Sequence, residues 1–430
     1  MAVRSPQGTR YLSLVCGLLC ALLVLGIARH VQAGQVSGAV APAALPTRVQ
    51  EPSAPQPVTP AVLQAAIDKL GDLDYETRTN AARTVRRTTG TQAVPALLRA
   101  VAEHADGYVR YRALVLLTGF NDPRTKDAMR ESLTSPNDRL RAVAYSYFEH
   151  NPDRAVVPAF LKAFDTEQAE FVRPSLLRAM ASVVRVLSES GSRADAARVE
   201  QALVRDVGRG EDFFRSAAIE ALGDYKAQYA VEALTAVAKL DGPLQDDAVL
   251  ALGKVGDKRV LETLSGLQGT APRTAQPAIA AAICLLGINC GSHENYLIET
   301  LKFADRNLGF QELLRGAASG LSALGIAGHT EAVEALFDLG VPARDDATRA
   351  PLALALGAVA LRNTALVMPI LEKRPDRDQA LAVLGEGFDM LEEDLDKERF
   401  FAFARRSYWD AVEGSPGRAL MQTLIGKLDF

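Results

Sequence analysis

Asp138-Arg139-Leu140-Arg141-Ala142-Val143-Ala144-Tyr145-Ser146-Tyr147-Phe148 is followed, after the breaker Asn151-Pro152-Asp153, by Val156-Val157-Pro158-Ala159-Phe160-Leu161. An acid and then an arginine open the first apolar run. A turn signal interrupts it. The second run carries its proline where an early helical turn tolerates a missing N–H. The stretch therefore reads as helix, turn, helix.

The same signal recurs along the chain. An acid followed three or four residues later by arginine opens runs at Asp74…Arg78, Asp106…Arg110, Asp138…Arg141, Glu170…Arg173, Asp212…Arg215, Glu312…Arg315 and Asp346…Arg349. The first four arginines are 32, 31 and 32 residues apart, and the next gap of 42 places an insertion of ~10 residues around Ser188–Ala194. A second register consists of Ala221-Leu222-Gly223, Ala251-Leu252-Gly253, Leu285-Leu286-Gly287, Ala323-Leu324-Gly325 and Ala355-Leu356-Gly357. Each glycine lies near the end of an apolar run, where a helix stops or bends. Second helical segments follow the breakers, as at Ala93–Leu98, with Pro95 in a first turn, and at Val231–Leu234 and Val333–Leu336. One helix pair cannot cover its own apolar face, but stacked pairs bury a continuous core.

The pattern from Ala61 to Asp378 resembles the HEAT-repeat family, in particular the short form found in phycobilisome-lyase-type repeats. The units around Gln245 and Thr274 lack the acid–arginine pair and count as degenerate. The resemblance implies an all-α fold, a right-handed α/α superhelix of about nine to ten antiparallel helix pairs, with the second helices lining the concave side.

The acid–arginine ladder (Arg78, Arg110, Arg141, Arg173, Arg215, Arg315, Arg349) reads as structural. An acid caps a helix N-terminus, and an arginine one turn on reaches it or an acid in the next repeat. A feature present in every stacked unit serves stacking, whereas a ligand site is unique. From Gln379 the period fades into a C-terminal helical cap, residues 379–430. There Phe400, Phe403 and Trp409 fall at the spacing of one buried stripe. Arg405 and Arg406 among the aromatics also fit a binding hot spot.

Composition agrees with helix-on-helix packing: 48% of residues are hydrophobic but only 6% aromatic, a balance that disfavours sheets. Arg4 and Arg10, the uncharged stretch Leu12–Ala28 and the small residues Val31 and Ala33 describe a secretory signal peptide over 1–33. An uncleaved anchor over 12–28 is the alternative, since 17 apolar residues reach the short edge of a bilayer span. Residues 34–60 form a Pro/Ala-rich linker with six prolines. Beyond Ala33 the chain has 45 basic and 52 acidic residues, a formal charge of −7. That excludes the broad basic face of a nucleic-acid binder.

No catalytic or cofactor motif is found. Gly320-Leu321-Ser322-Ala323-Leu324-Gly325 has one residue too many for a nucleophile elbow. The segment Gly253–Lys258 is too short for a phosphate loop. His104, His150, His293 and His329 show no metal-ligand spacing. Cys284 and Cys290 form an even pair suited to a disulfide in an oxidising compartment. The expectation is an exported, periplasmic or secreted scaffold, not an enzyme, with neither cofactor nor metal. It would bind a protein partner on its concave surface near Arg99, Lys162, Lys239 and Lys302. The alternative is an enzyme or enzyme accessory of the lyase-like type.

Overall fold

The structure is a computed structural model that describes residues 54–307 and 309–428. The signal-peptide and anchor readings, and most of the linker, lie outside the described residues. Residues 54–59 are extended: Gln56 exchanges backbone hydrogen bonds with Arg87 and Thr89, and the Gln92 side chain bonds both backbone groups of Val58.

The chain continues as α1 (Pro60–Asp68), α2 (Tyr75–Arg86), α3 (Gly90–Glu103), α4 (Gly107–Leu117), α5 (Arg124–Ser132), α6 (Asp138–His150), α7 (Val157–Phe164), α8 (Arg173–Glu189), α9 (Arg193–Val207), α10 (Asp212–Asp224) and α11 (Val231–Ala238). Then follow α12 (Gln245–Val255), α13 (Leu261–Thr270), α14 (Gln276–Leu285), α15 (Cys290–Arg306), α16 (Gln311–Ala327), α17 (Thr330–Gly340), α18 (Asp346–Arg362), α19 (Thr364–Lys373), α20 (Arg377–Met390), α21 (Asp394–Asp410) and α22 (Pro416–Lys427). Helices α1–α20 make ten antiparallel pairs, an all-α solenoid. The pairs run through α20, so the period outlasts the expected boundary at 378, and the cap is α21–α22. The ten inserted residues make no loop; α8 and α9 absorb them as extra helical turns.

From α6 to α20 each even-numbered helix packs along its whole length against the next even one, while the odd-numbered helices touch one another sparsely. In a curved array the denser row lies at the smaller radius. The even row, which carries the acid–arginine signal, is therefore the inner wall. The odd row, made of the second helices of the sequence reading, is the outer one. The expected assignment is reversed, because each acid–arginine helix is the second member of its packed pair and not the first.

Glycines inside the even-numbered helices explain the dense row. Gly253 lies within α12, and a Cβ there would sit 2.4 Å from Ala282 Cα of α14; at Gly387 of α20 it would sit 2.1 Å from the Ala353 carbonyl oxygen of α18. Backbones this close admit only glycine. Gly253 and Gly387 are packing contacts rather than helix stops, and the turn after α12 is made by Gly256, at φ +81°; Gly287 alone of the register glycines is a turn in its own right, at φ +77° after α14. Pro95 likewise falls six residues into α3 rather than in its first turn, on an exposed position.

The ladder arginines clamp the chain end to end. Arg110 donates to the Val101 carbonyl, Arg173 to Phe164, Arg215 to Val207 and Arg349 to Gly340, each at the C-terminal end of the preceding helix. Arg78 and Arg141 bond carbonyls of the preceding turn, at Asp72 and Ser135. Arg315 bonds Glu312. Terminal carbonyls carry the negative end of the helix dipole and lack partners within the helix. Two of the acids, Asp74 and Asp106, cap their own helices. In the two degenerate units Gln245 and Gln276 do the same work with their side-chain amides, donating to Ala238 and Ala271. Arg377 and Lys397 extend the ladder to Leu371 and Leu391.

Candidate binding face

The four cations expected near the concave surface sit on the outer row or its ends: Arg99 on α3, Lys162 on α7, Lys239 after α11 and Lys302 on α15. Arg99, Lys162 and Lys239 are exposed, and Lys302 pairs with Glu299 of its own helix. They are not brought together. The inner wall of the first three repeats is instead covered by the chain's own α21.

Helix α21 lies across α4 and α6 and against α18. Its N-terminal half is acidic and meets basic or hydroxyl groups of the wall. Glu398, 1% exposed, accepts from Arg86 Nε at 2.8 Å and NH2 at 2.6 Å, and from Arg405 at 3.2 Å. Asp394 takes Arg112 at 3.0 Å, Lys397 at 2.7 Å and the Tyr111 hydroxyl. Asp396 sits 2.7 Å from His150, and Glu393, just before the helix, pairs with Arg362 at 2.7 Å. Burial alone would push Asp394 up, but Arg112 and Lys397 outweigh it and hold it at about 2. Burial likewise acts against Glu398, and Arg86 and Arg405 outweigh it and keep its carboxyl below the usual range. Each charge of this seal meets its counter-charge, as buried ions require.

The aromatics of α21 divide. Phe400 and Tyr408 are buried against α20 and α22, with Phe400 edge-on to Phe388 at 4.9 Å. Phe403 is half-buried, and Trp409 is 44% exposed. The expected single stripe of Phe400, Phe403 and Trp409 is thus split, because residues three and nine apart drift around the helix. The outward face borders an open cleft of about 900 Å³ between α21 and the turns that follow α2 and α4.

This cleft is basic and aromatic. Arg87, Arg399, Arg405 and Arg406 line it, together with Phe120, Phe403 and Trp409. Among the described residues no carboxylate lies within ion-pairing distance of Arg87 or Arg406. One buried NH group of Arg405 finds no partner among the described residues. Burial, reinforced by neighbouring guanidiniums, holds both Arg87 and Arg405 below the ordinary arginine pKa. Two of the three acids at the cleft are already engaged, Asp122 with Arg124 and Asp396 with His150. The arrangement attracts an anion that also presents apolar or aromatic surface.

Further along, the inner wall is acidic. Glu220 keeps contact with water at its surface, but the protein packed around it, and then Asp247, push it up to about 7. Burial and then Asp247 raise Asp246 to about 6. A carboxyl whose folded pKa is raised penalises folding while ionised, and the penalty lifts as pH falls through the folded value. Glu220→Gln should therefore melt higher than the parent at pH 8, and the gap should close as pH falls toward the ordinary value of 4.5. Calorimetric melts of both proteins across pH 4.5–8 check this; a gap unchanged over that range contradicts it.

The chain is an α-helical solenoid, and residues 94–181 match the family model for HEAT repeats. Among solved structures, the complex of CpcE and CpcF of phycocyanin lyase from Nostoc sp. PCC7120 is similar at 18% identity, covering 63% of this chain and 97% of that one with a TM-score of 0.38. Importin beta is similar at 15% identity, covering 85% of this chain and 55% of that one, also at 0.38. No curated protein matches the sequence. Nothing about partner or activity rests on these likenesses. Among the described residues no single helix is long and apolar enough to cross a membrane.

Proposed function

We propose that the protein is an exported, non-catalytic scaffold that holds a partner protein by an acidic, aromatic-bearing segment. The segment docks in the cleft beside α21 rather than on the concave wall. The observation that carries this reading is a pair of arginines, Arg87 and Arg406, that no carboxylate among the described residues reaches, flanking Phe120, Phe403 and the exposed Trp409. Arginine and tryptophan dominate interface energetics when a pocket desolvates them. Export is supported by the basic, apolar and small-residue order of residues 1–33. Sequencing the N-terminus of protein from its own host tests that part: a start at Gly34 supports it, and an intact Met1 in the membrane fraction makes residues 12–28 an anchor.

Trp409 is the only tryptophan in the chain, so intrinsic fluorescence reports on the cleft. A labelled copolymer of glutamate and tyrosine serves as the probe. It should bind with strong salt dependence and shift the Trp409 emission, and Arg87→Glu with Arg406→Glu should weaken binding at least tenfold. Binding that ignores the double substitution, or leaves the emission unchanged, would remove the cleft from consideration.

A further inference from the structure

The sequence shows no metal motif because its histidines are scattered, but the fold gathers one of them to both mature cysteines. Cys284 lies near the end of α14, 2% exposed. Gly287 at φ +77° and Asn289 at φ +44° turn the chain back, so that Cys290 is the first residue of α15. The two cysteines are joined, with Cα atoms 4.1 Å apart. His329, the residue before α17, arrives from the next repeat, and the Cys284, Cys290 and His329 ligand atoms all lie within 4.8 Å of one another. His329 Nδ1 is 3.8 Å from Cys290 Sγ and 3.4 Å from Glu294 Oε2.

Glu294 is the independent pointer to a ligand. It sits one turn after Cys290 on α15, 6% exposed, and its buried Oε1 finds no hydrogen-bond partner among the described residues. A buried carboxylate oxygen left unbonded is costly. In a tetrahedral zinc site with Zn–S of about 2.3 Å and Zn–N of about 2.0 Å, ligand atoms stand roughly 3.3–3.8 Å apart. The two His329 distances fall within that span.

We propose that, once reduced, Cys284, Cys290, His329 and Glu294 form a tetrahedral site for a thiophilic divalent cation, zinc above all, and that the disulfide is the metal-free state of the same site. A dithiol or phosphine reductant supplies two electrons, and two protons from solvent complete the two thiols as the S–S bond breaks. Metal binding then expels both thiol protons and draws the sulfurs to tetrahedral separation around the ion. The ion would neutralise Glu294, fix the His329 tautomer and tie α14, α15 and α17 together, so that redox state sets how firmly three successive helix pairs are joined.

The test uses the full chain carrying Cys16→Ser and Cys20→Ser, so that only the two mature cysteines respond. Protein reduced with tris(2-carboxyethyl)phosphine and desalted without oxygen is titrated with Co²⁺. One cobalt per chain is expected, with the visible bands of tetrahedral coordination and a thiolate charge-transfer band in the near ultraviolet. Zinc should displace it and raise the melting temperature. Oxidised protein should take up none. His329→Ala and Glu294→Gln leave both thiols intact and should each weaken cobalt binding at least tenfold, with helicity checked by circular dichroism. Reduced protein that titrates two thiols yet takes up no cobalt overturns the proposal. So does His329→Ala binding cobalt as tightly as the parent, or reduction that unfolds the chain without metal uptake.

Discussion

Glu398→Ala is expected to lower the unfolding free energy at neutral pH by about 3–5 kcal/mol, the usual penalty for breaking a buried ion pair from one side. Glu398 is 1% exposed and shared by Arg86 and Arg405. Its removal leaves two guanidiniums facing each other across the seal between α2 and α21. Glu398→Gln should recover only part of the loss, since an amide keeps one acceptor and no charge. The pH dependence has a definite sign. The folded carboxyl lies below its ordinary value, so its contribution is present above the unfolded pKa and disappears as pH falls through the folded one. Urea melts at pH 7 and pH 3 check both statements: the deficit of the alanine variant should shrink in acid. A deficit below about 1 kcal/mol at pH 7 would mean that the seal is a solvated surface contact.

Arg173→Ala should cost a similar amount, about 3–5 kcal/mol, for a reason the repeat itself supplies. The side chain is 6% exposed and donates to the Phe164 and Glu167 carbonyls at 2.8 Å each and to Asp206 of the next helix pair at 2.5 Å. Its guanidinium also lies 4.8 Å from the Phe164 ring. Alanine strands two terminal carbonyls and a carboxylate at once. Lysine retains the charge but not the forked donors, so Arg173→Lys should fall between the parent and the alanine variant. Arg78→Ala, which frees only two carbonyls of an exposed turn, should cost about 1 kcal/mol. Denaturant melts of the four proteins check the ranking, and equal losses at positions 78 and 173 would contradict it.

The repeats were legible because stacking demands periodicity: acid–arginine openings and apolar runs recur every thirty-odd residues in sequence and in space. The acid of each pair suggested an acid–arginine contact, whereas most ladder arginines bond backbone carbonyls of the preceding helix or turn, which a sequence pattern does not display. Other features left weaker traces. Which helix of each pair faces inward depends on how closely successive helices approach. The only sequence sign was the glycine near the end of each inner run, which also fits a helix stop. Gln245 and Gln276 replace arginine with a neutral amide and so broke the pattern while keeping its function. The fold of α21 onto α2 and α4 joins residues 312 positions apart, beyond the reach of any local period. A faint signal existed in Glu398, an acid on the same helical face as Leu395 and Ala402. The gathering of His329 with Cys284, Cys290 and Glu294 depends on adjacent repeats meeting and has no spacing of its own.

The closing of the solenoid by its own C-terminal helix is most directly tested by a double-mutant cycle on Arg86→Met and Glu398→Gln, with unfolding free energies from urea melts of the parent, both single variants and the double variant. The two side chains touch only if α21 lies on the inner wall. A coupling of about 2 kcal/mol or more is expected, with the double variant no worse than the poorer single one. Additive losses within about 0.5 kcal/mol would show that Arg86 and Glu398 do not meet. The inner wall would then be open, and the concave surface would return as the binding face.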